Sequence, residues 1–404
     1  MRVCTGSSST PQRPLRNARV SPSLSIAHTE ASNGWGGQEI RVLTEAAGFI
    51  ARGHRVIVYA ADGARILAEA PRFGVPAVAL PIGRKRPRGA HALVMSLARK
   101  RVDIVNAHSS TDAWLSALAC CWLGLRQHER PVLVRTRHVS IAVPNDPATR
   151  WLYRRATARI VTTGDALREQ LIRDNGIDPR RIDSVPTGID TAQFAPRSRT
   201  TARSELDLPR DAPLIGIVAT LRSWKGHRHL LDALPLMMRA DARLVIVGDG
   251  PQRAALEAQR QALGLGERVI FAGLQRDVAP WLAAFDVFAL PSYANEGVPQ
   301  ALLQAMVARV PCVTTPIGGI PEIAREGETA RVVPAKDARA LAAAIDALLA
   351  NPTEGQRLAG NAQAFVLPRC GLETMLDRME VVYRRALAER PDHERVHRQE
   401  GAAR

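Results

Sequence analysis

Residues 291–323 read PSYANEGVPQALLQAMVARVPCVTTPIGGIPEI. The stretch sets an acidic side chain, Glu296, in a short loop directly before a helix opening Gly297-Val298-Pro299-Gln300, where unpaired backbone N–H groups and a positive dipole end can receive an anion. Proline near the first helical position costs no hydrogen bond, and Ala301, Leu302, Ala305 and Met306 then recur at core spacing. Gln300 and Gln304 fall on the other face. A helix that buries that stripe while aiming Glu296, the loop amides and Gln304 at one cleft suits a sugar attached to a nucleoside diphosphate.

Outward from this stretch, short apolar strands alternate with helical segments. LIGIVAT, ARLVIVG, RVIFAG, VFALPS, PCVTT and ARVVP form one series, and VSPSLSIAH, VIVYA, VDIVNAH, PVLVRT and ARIVTT form an earlier one. The alternation predicts an α/β protein with parallel sheets covered on both faces, and the two series predict two doubly wound, Rossmann-like domains facing a cleft. A chain of 404 residues is long enough for both cores. The segment TGIDTAQFAPRSRTTARSELDLPRDAP, rich in turn formers, reads as the linker. The expected division is a disordered extension over 1–18, a first domain over 19–188, a second over 189–371 and a disordered tail over 389–404. A helix over 372–388 carries Leu372, Met375, Leu376, Met379, Val382 and Tyr383 on one stripe. Ligands of such sheets bind beyond the carboxyl ends of the strands, which places the site between the domains.

The net charge of +16 and pI near 10.8 favour a phosphate-bearing partner without specifying which. Three basic stretches hold much of that charge: Arg84-Lys85-Arg86 with Arg88, Arg99-Lys100-Arg101, and Arg150 to Arg159, where Trp151 and Tyr153 lie among arginines. Basic residues interleaved with aromatics suit an anionic membrane face, and a solvated arginine-rich surface explains them as well. No recognition motif accompanies the charge, so nucleic acid is not expected. The longest apolar run, Ala113 to Leu125, is too short to cross a bilayer and reads as a buried helix. Five cysteines without zinc-like spacing argue for a reducing compartment, with the cytoplasm as default and peripheral attachment to the inner membrane face compatible with the charge.

Stabilising a departing diphosphate takes a divalent metal or fixed cations and dipoles. No Asp-x-Asp pair occurs in the sequence. Arg222 and Lys225, in ATLRSWKG after an apolar strand, are the candidate substitutes: lysine supplies a compact point charge, and arginine can bridge two oxygens. No metal or other cofactor is therefore expected. Gly36 and Gly37 precede a helix whose Ile40, Leu43, Ala47 and Ile50 mark its buried face, and glycines there let backbone amides approach a ligand. VIVGDGPQRAAL lacks the third glycine of a dinucleotide fingerprint, having Arg253 there, which argues against a nicotinamide enzyme.

PSYANEGVPQALLQAM resembles the signature segment of the family-4 retaining glycosyltransferases, and GWGGQE (34–39), RTRH (135–138), SVPTGID (184–190), LRSWKG (221–226) and VIVGDGP (245–251) follow that family's order. The resemblance implies a GT-B fold whose last helix crosses back to the first domain. It also implies transfer of a sugar from a nucleoside-diphosphate sugar, UDP favoured, to a glycan or lipid-linked acceptor, as in lipopolysaccharide or surface-polysaccharide assembly. Glu296 and His138 would then meet the donor sugar, and Arg222 and Lys225 the diphosphate. Gly36, Gly37, Gly297, Val298, Pro299 and Gln300 would line the donor, while Gly248, Gly250 and Arg276, in the loop 273–278, would approach the nucleoside. His108 and Asp112 fall on the acceptor side, where an ordinary helix cap explains them as well. Two positions depart from the family: Gln304 replaces the second glutamate, which binds the ribose, and Thr187 replaces an asparagine. A nucleotide-sugar 2-epimerase or a catalytically silent sugar-nucleotide-binding protein fits the same letters less fully.

Overall fold

The computed structural model describes residues 22–126 and 130–389. The extension expected over 1–18, and all but Glu389 of the tail expected over 389–404, lie outside the described residues. The first sheet comprises β1 (Ser25–Glu30), β2 (Arg55–Ala61), β3 (Ala77–Leu80), β4 (Ile104–Ala107), β5 (Val132–Arg137), β6 (Arg159–Thr162) and β7 (Ile182–Ser184), in the order β3-β2-β1-β4-β5-β6-β7. The second comprises β8 (Leu214–Val218), β9 (Arg243–Val247), β10 (Val269–Gly273), β11 (Val287–Leu290), β12 (Cys312–Thr314) and β13 (Arg331–Val332), in the order β10-β9-β8-β11-β12-β13. The strands within each sheet pair in parallel.

Every residue of β1, β4, β6 and β11 is buried, as parallel strands covered on both faces require. In each sheet the strand order reverses beside its first strand, between β1 and β4 and between β8 and β11. Successive crossovers leave to opposite faces there, which opens a crevice at the carboxyl ends.

Each sheet has its own apolar core, and the helix Leu372–Ala388 packs into the first, burying Met375, Leu376, Met379, Val382, Tyr383 and Ala386. A polar chain fixes it: the Tyr383 hydroxyl donates to Glu45 Oε1 at 2.6 Å and accepts from Asn106 Nδ2 at 2.9 Å, and Thr136 Oγ1 donates to Asn106 Oδ1 at 2.9 Å. Burial, with Glu45 beside it, pushes the Tyr383 phenol well above its ordinary value. Tyr383→Phe would strand a buried carboxylate oxygen and an amide donor, so it is expected to cost about 1–3 kcal/mol. An unfolding midpoint unchanged in urea would contradict that role.

Two expectations are corrected. The segment read as a linker contains a helix, Arg199–Glu205, and contributes Phe194, Ala202 and Leu208 to the second core. Its Arg203 is buried because the guanidinium donates to the carbonyls of Ala284, Arg210 and Ala212 and to Asp286. The helix Ser110–Arg126, read as buried, leaves Leu118, Trp122 and Leu125 exposed.

The halves are also joined beside the cleft. Glu322, in the second half, accepts the N–H groups of Asp165 and Ala166 at 2.8 Å each and so caps the helix Asp165–Asn175 of the first.

Candidate ligand cleft

Both reversal points carry chemistry. After β8 the chain turns through Ser223–Lys225, and Gly226 follows at φ 80° with its α-carbon so close to β11's exit that a β-carbon would lie 2.0 Å from the Pro291 carbonyl oxygen. Only glycine permits that approach. It brings Lys225 Nζ to both oxygens of Glu296, at 2.7 and 2.9 Å. Glu296 is 4% exposed, and its Oε1 also accepts from Ser292 Oγ at 2.6 Å. Ser292 is held in turn by Thr315, whose hydroxyl donates to its carbonyl. The buried carboxylate is thus fully partnered, with its cation 21% exposed toward the cleft.

A cavity of about 990 Å³ opens beside this pair, lined from the first half by Gly36 and Gly37 and from the second by Lys225, Gly248, Pro299, Gln300 and Gln304. The loop 274–278, including Arg276, closes another side. Arg276 also approaches Glu69 of the first half at 3.8 Å. Gly37 leaves room for Gln300, whose Oε1 would lie 3.2 Å from a β-carbon there and is buried without a protein partner. Gln304 is 7% exposed.

The helix expected to open at Gly297 begins at Gln300, with Pro299 as its N-cap. Gly297 and Val298 therefore remain in the loop. Gly297 packs on the first half, where a β-carbon would lie 2.3 Å from Thr163 Oγ1 and 2.8 Å from the His138 carbonyl oxygen.

Arg222, Gly250, His108, Asp112 and His138 are not among the residues that line this cavity. Arg222 is exposed, with its guanidinium 5.7 Å over the Trp224 ring rather than at Glu296. Gly250 fits against the Leu221 backbone, which a β-carbon would approach to 2.9 Å. The acceptor-side reading of Asp112 is corrected: its carboxylate is 0% exposed and accepts from the His108 and Ser109 amides and from Thr29 Oγ1, each at 2.9 Å. It holds the loop that starts its own helix. His108 is 4% exposed and occupied on both ring nitrogens, by His28 Nδ1 at 2.9 Å and His138 Nε2 at 3.0 Å. It lies inside the first half, outside the cavity lining.

Next to Lys225, His227 is enclosed on both ring nitrogens without a partner, and burial together with the Lys225 charge depresses it from 6.5 to about 3. The unfolded chain binds a proton below its ordinary value that the folded chain refuses, so stability present above that value is lost as pH falls toward about 3. The slope from one such group reaches about 1.4 kcal/mol per pH unit. Melting temperatures of His227→Leu are expected to fall less steeply between pH 7 and 4 than those of the parent. Parallel slopes would contradict this.

Residues 212–351 match the family described as Glycosyl transferases group 1, and residues 35–193 match Glycosyltransferase Family 4. A D-inositol 3-phosphate glycosyltransferase of Xylanimonas cellulosilytica is 31% identical over 72% of this chain and 73% of its own length. That of Mycobacterium marinum is 30% identical over 71% of this chain, which spans less than two thirds, 64%, of that relative. Among solved structures, a glycosyltransferase from Rickettsia africae superposes with a TM-score of 0.79 at 21% identity, covering 91% of this chain and 100% of that one. Anabaena HepE, solved in complex with UDP and glucose, gives 0.78 at 20% identity, covering 88% and 98%.

Proposed function

The chain belongs to the group 1, family 4 glycosyltransferases, with the GT-B fold, and from that premise we propose that it transfers a sugar from a UDP-sugar, with retention, to a hydroxyl of a phosphate-bearing acceptor. The observation that carries the reading is the Lys225–Glu296 pair at the second sheet's reversal point, whose lysine lines a cavity built by both halves. The Lys225 ammonium engages both carboxylate oxygens. An arriving diphosphate competes for Lys225 and releases the outer lone pairs of Glu296 to sugar hydroxyls, while Ser292 holds Oε1 in place. Lys225, the Gly36 and Gly37 amides and exposed Arg222, drawn in on binding, then face the charge that grows on the leaving diphosphate. The bond from the anomeric carbon to that diphosphate oxygen breaks as the acceptor oxygen bonds on the same face. The acceptor's proton passes to the departing oxygen beside it.

Gln304 offers the ribose one acceptor and one donor where a carboxylate would offer acceptors only. A neutral hydrogen bond contributes about 0.5–1.5 kcal/mol against roughly 1.5–3 for a charge-assisted one, so this replacement weakens nucleotide binding without removing it. The UDP preference is drawn from the resemblance and from the nucleotide held by HepE.

For the acceptor, the matched relatives carry a phosphorylated inositol in their names. That moves the reading away from lipopolysaccharide and toward a small phosphorylated polyol. Peripheral attachment to an anionic bilayer is a second reading, favoured by one surface: Lys85 lies 5.4 Å over Trp114, which stacks on exposed Trp151, and Arg84, Arg86 and Arg88, exposed, flank Lys85 in sequence. No helix among the described residues is long and apolar enough to cross a membrane.

The test is a panel of UDP-, GDP- and ADP-sugars with inositol phosphate or a lipid-linked glycan as acceptor, scored for nucleotide release and product anomer. Release from a UDP-sugar with a retained linkage supports the reading. An inverted product, or an epimerised sugar formed without acceptor, overturns it. Salt-sensitive flotation with phosphatidylglycerol vesicles separately decides the membrane reading.

A further inference from the structure

The first sheet's reversal point holds three histidines in a row. His28 lies on β1, and His108 and His138 directly follow β4 and β5, the next two strands of the sheet. Their ring nitrogens meet end to end, His28 Nδ1 with His108 Nε2 at 2.9 Å and His108 Nδ1 with His138 Nε2 at 3.0 Å. Exposure rises along the row from 0% at His28 through 4% at His108 to partly open His138, whose carbonyl abuts Gly297 beside Glu296. At the sealed end, His28 Nε2 is enclosed without a partner. Burial holds all three imidazoles below their ordinary value, with Glu45 opposing it at His28, Arg41 reinforcing it at each, and Arg137 adding to it at His138.

Three neutral rings carry three N–H groups, and each of the two contacts needs one proton. His108 has a single proton, so only two arrangements satisfy both contacts. In one, every ring is protonated at Nδ1, His28 Nε2 keeps a bare lone pair, and His138 presents Nδ1–H. In the other, every ring is protonated at Nε2, a donor is entombed at His28, and His138 presents a lone pair. An orphaned buried N–H is rarer than an under-used acceptor, which selects the first arrangement. We propose that His28 is a positioning residue: through the His28–His108–His138 row it fixes His138 as an Nδ1–H donor beside the Glu296 loop, available to an oxygen of the donor substrate. This role in turnover rests on the transferase reading, whereas the tautomer assignment does not.

Long-range proton–nitrogen correlation spectra of the full chain labelled with ¹⁵N-histidine, assigned with single-histidine variants, are expected to show His138 protonated at Nδ1 and bare at Nε2. The reverse pattern at His138 overturns the proposal, whether or not the protein turns over any sugar nucleotide. His28→Asn, whose amide can stand where Nδ1–H stood, is expected to keep UDP-sugar turnover within about threefold of the parent. His28→Leu is expected to lose about tenfold or more in kcat with little change in donor KM, as for removal of an oriented donor. Equal losses in two folded variants would reduce His28 to a packing residue and overturn the proposal. Failure of the parent to release nucleotide from any sugar donor would sink the transferase reading alone, leaving the spectra to decide the row.

Discussion

Glu296→Gln is expected to fold like the parent and to lose turnover by about 10²–10³-fold, the scale on which an electrostatic contact to a transition state is felt when removed. The replacement keeps the volume of a side chain only 4% exposed and keeps one oxygen for Ser292 Oγ. It removes the negative charge nearest the sugar and sets an amide donor against Lys225, whose Nζ contacts both oxygens. The cost in stability should be about 1–3 kcal/mol, the scale of a lost charge-assisted hydrogen bond, because Lys225 keeps some access to water. Steady-state rates beside melting temperatures separate the two effects. A fully active variant would remove Glu296 from the reaction.

A single methyl group at Gly297 should be nearly as damaging, for a steric reason. A β-carbon there lies 2.3 Å from Thr163 Oγ1 and 2.8 Å from the His138 carbonyl oxygen. The threonine can rotate away, but the carbonyl belongs to the backbone after β5 and cannot, so the Glu296 loop must retreat from the first half. Gly297→Ala is therefore expected to lower kcat/KM for the donor by about 10²-fold, since displacement of about 1 Å at a reacting centre costs that much. Each half should keep its secondary structure by circular dichroism. Thr163→Ala is the control and should leave activity near the parent, because the threonine hydroxyl has no partner to lose. Parental activity in Gly297→Ala would show that the loop does not need its seat on His138.

The parts of the fold legible in the sequence were those written as continuous apolar runs. Ten or so residues around each of LIGIVAT, VIVGD and VFALPS sufficed because parallel strands covered on both faces have no polar side to confuse the pattern. β3 is illegible because its four residues are half-buried or exposed, and β7 because three residues carry no period. The segment 187–213 reads as a linker because Arg203 and scattered Phe194 and Leu208 join the second half in a way that no local pattern announces. Within the site, Glu296 and Lys225 were legible as separate motifs, but their mutual ion pair depends on Gly226 pressing against Pro291, a contact between strands far apart in sequence. Position after a strand does not reveal which way a side chain faces, so Asp112 and His108 read as acceptor-side residues although both are buried. His28 and Glu322 carry no local signal for the same cause: one is a polar letter inside a buried strand, and the other caps a helix of the opposite half.

In this mechanism the chain's own cations, Arg222 and Lys225, stabilise the leaving diphosphate in place of a metal. Nucleotide release from a UDP-sugar should proceed at the same rate in EDTA as with added magnesium or manganese, and should fall by about 10³-fold or more when Arg222 and Lys225 are both replaced by alanine. A parent enzyme that turns over only with added divalent metal, or a double variant that keeps its rate, would contradict it.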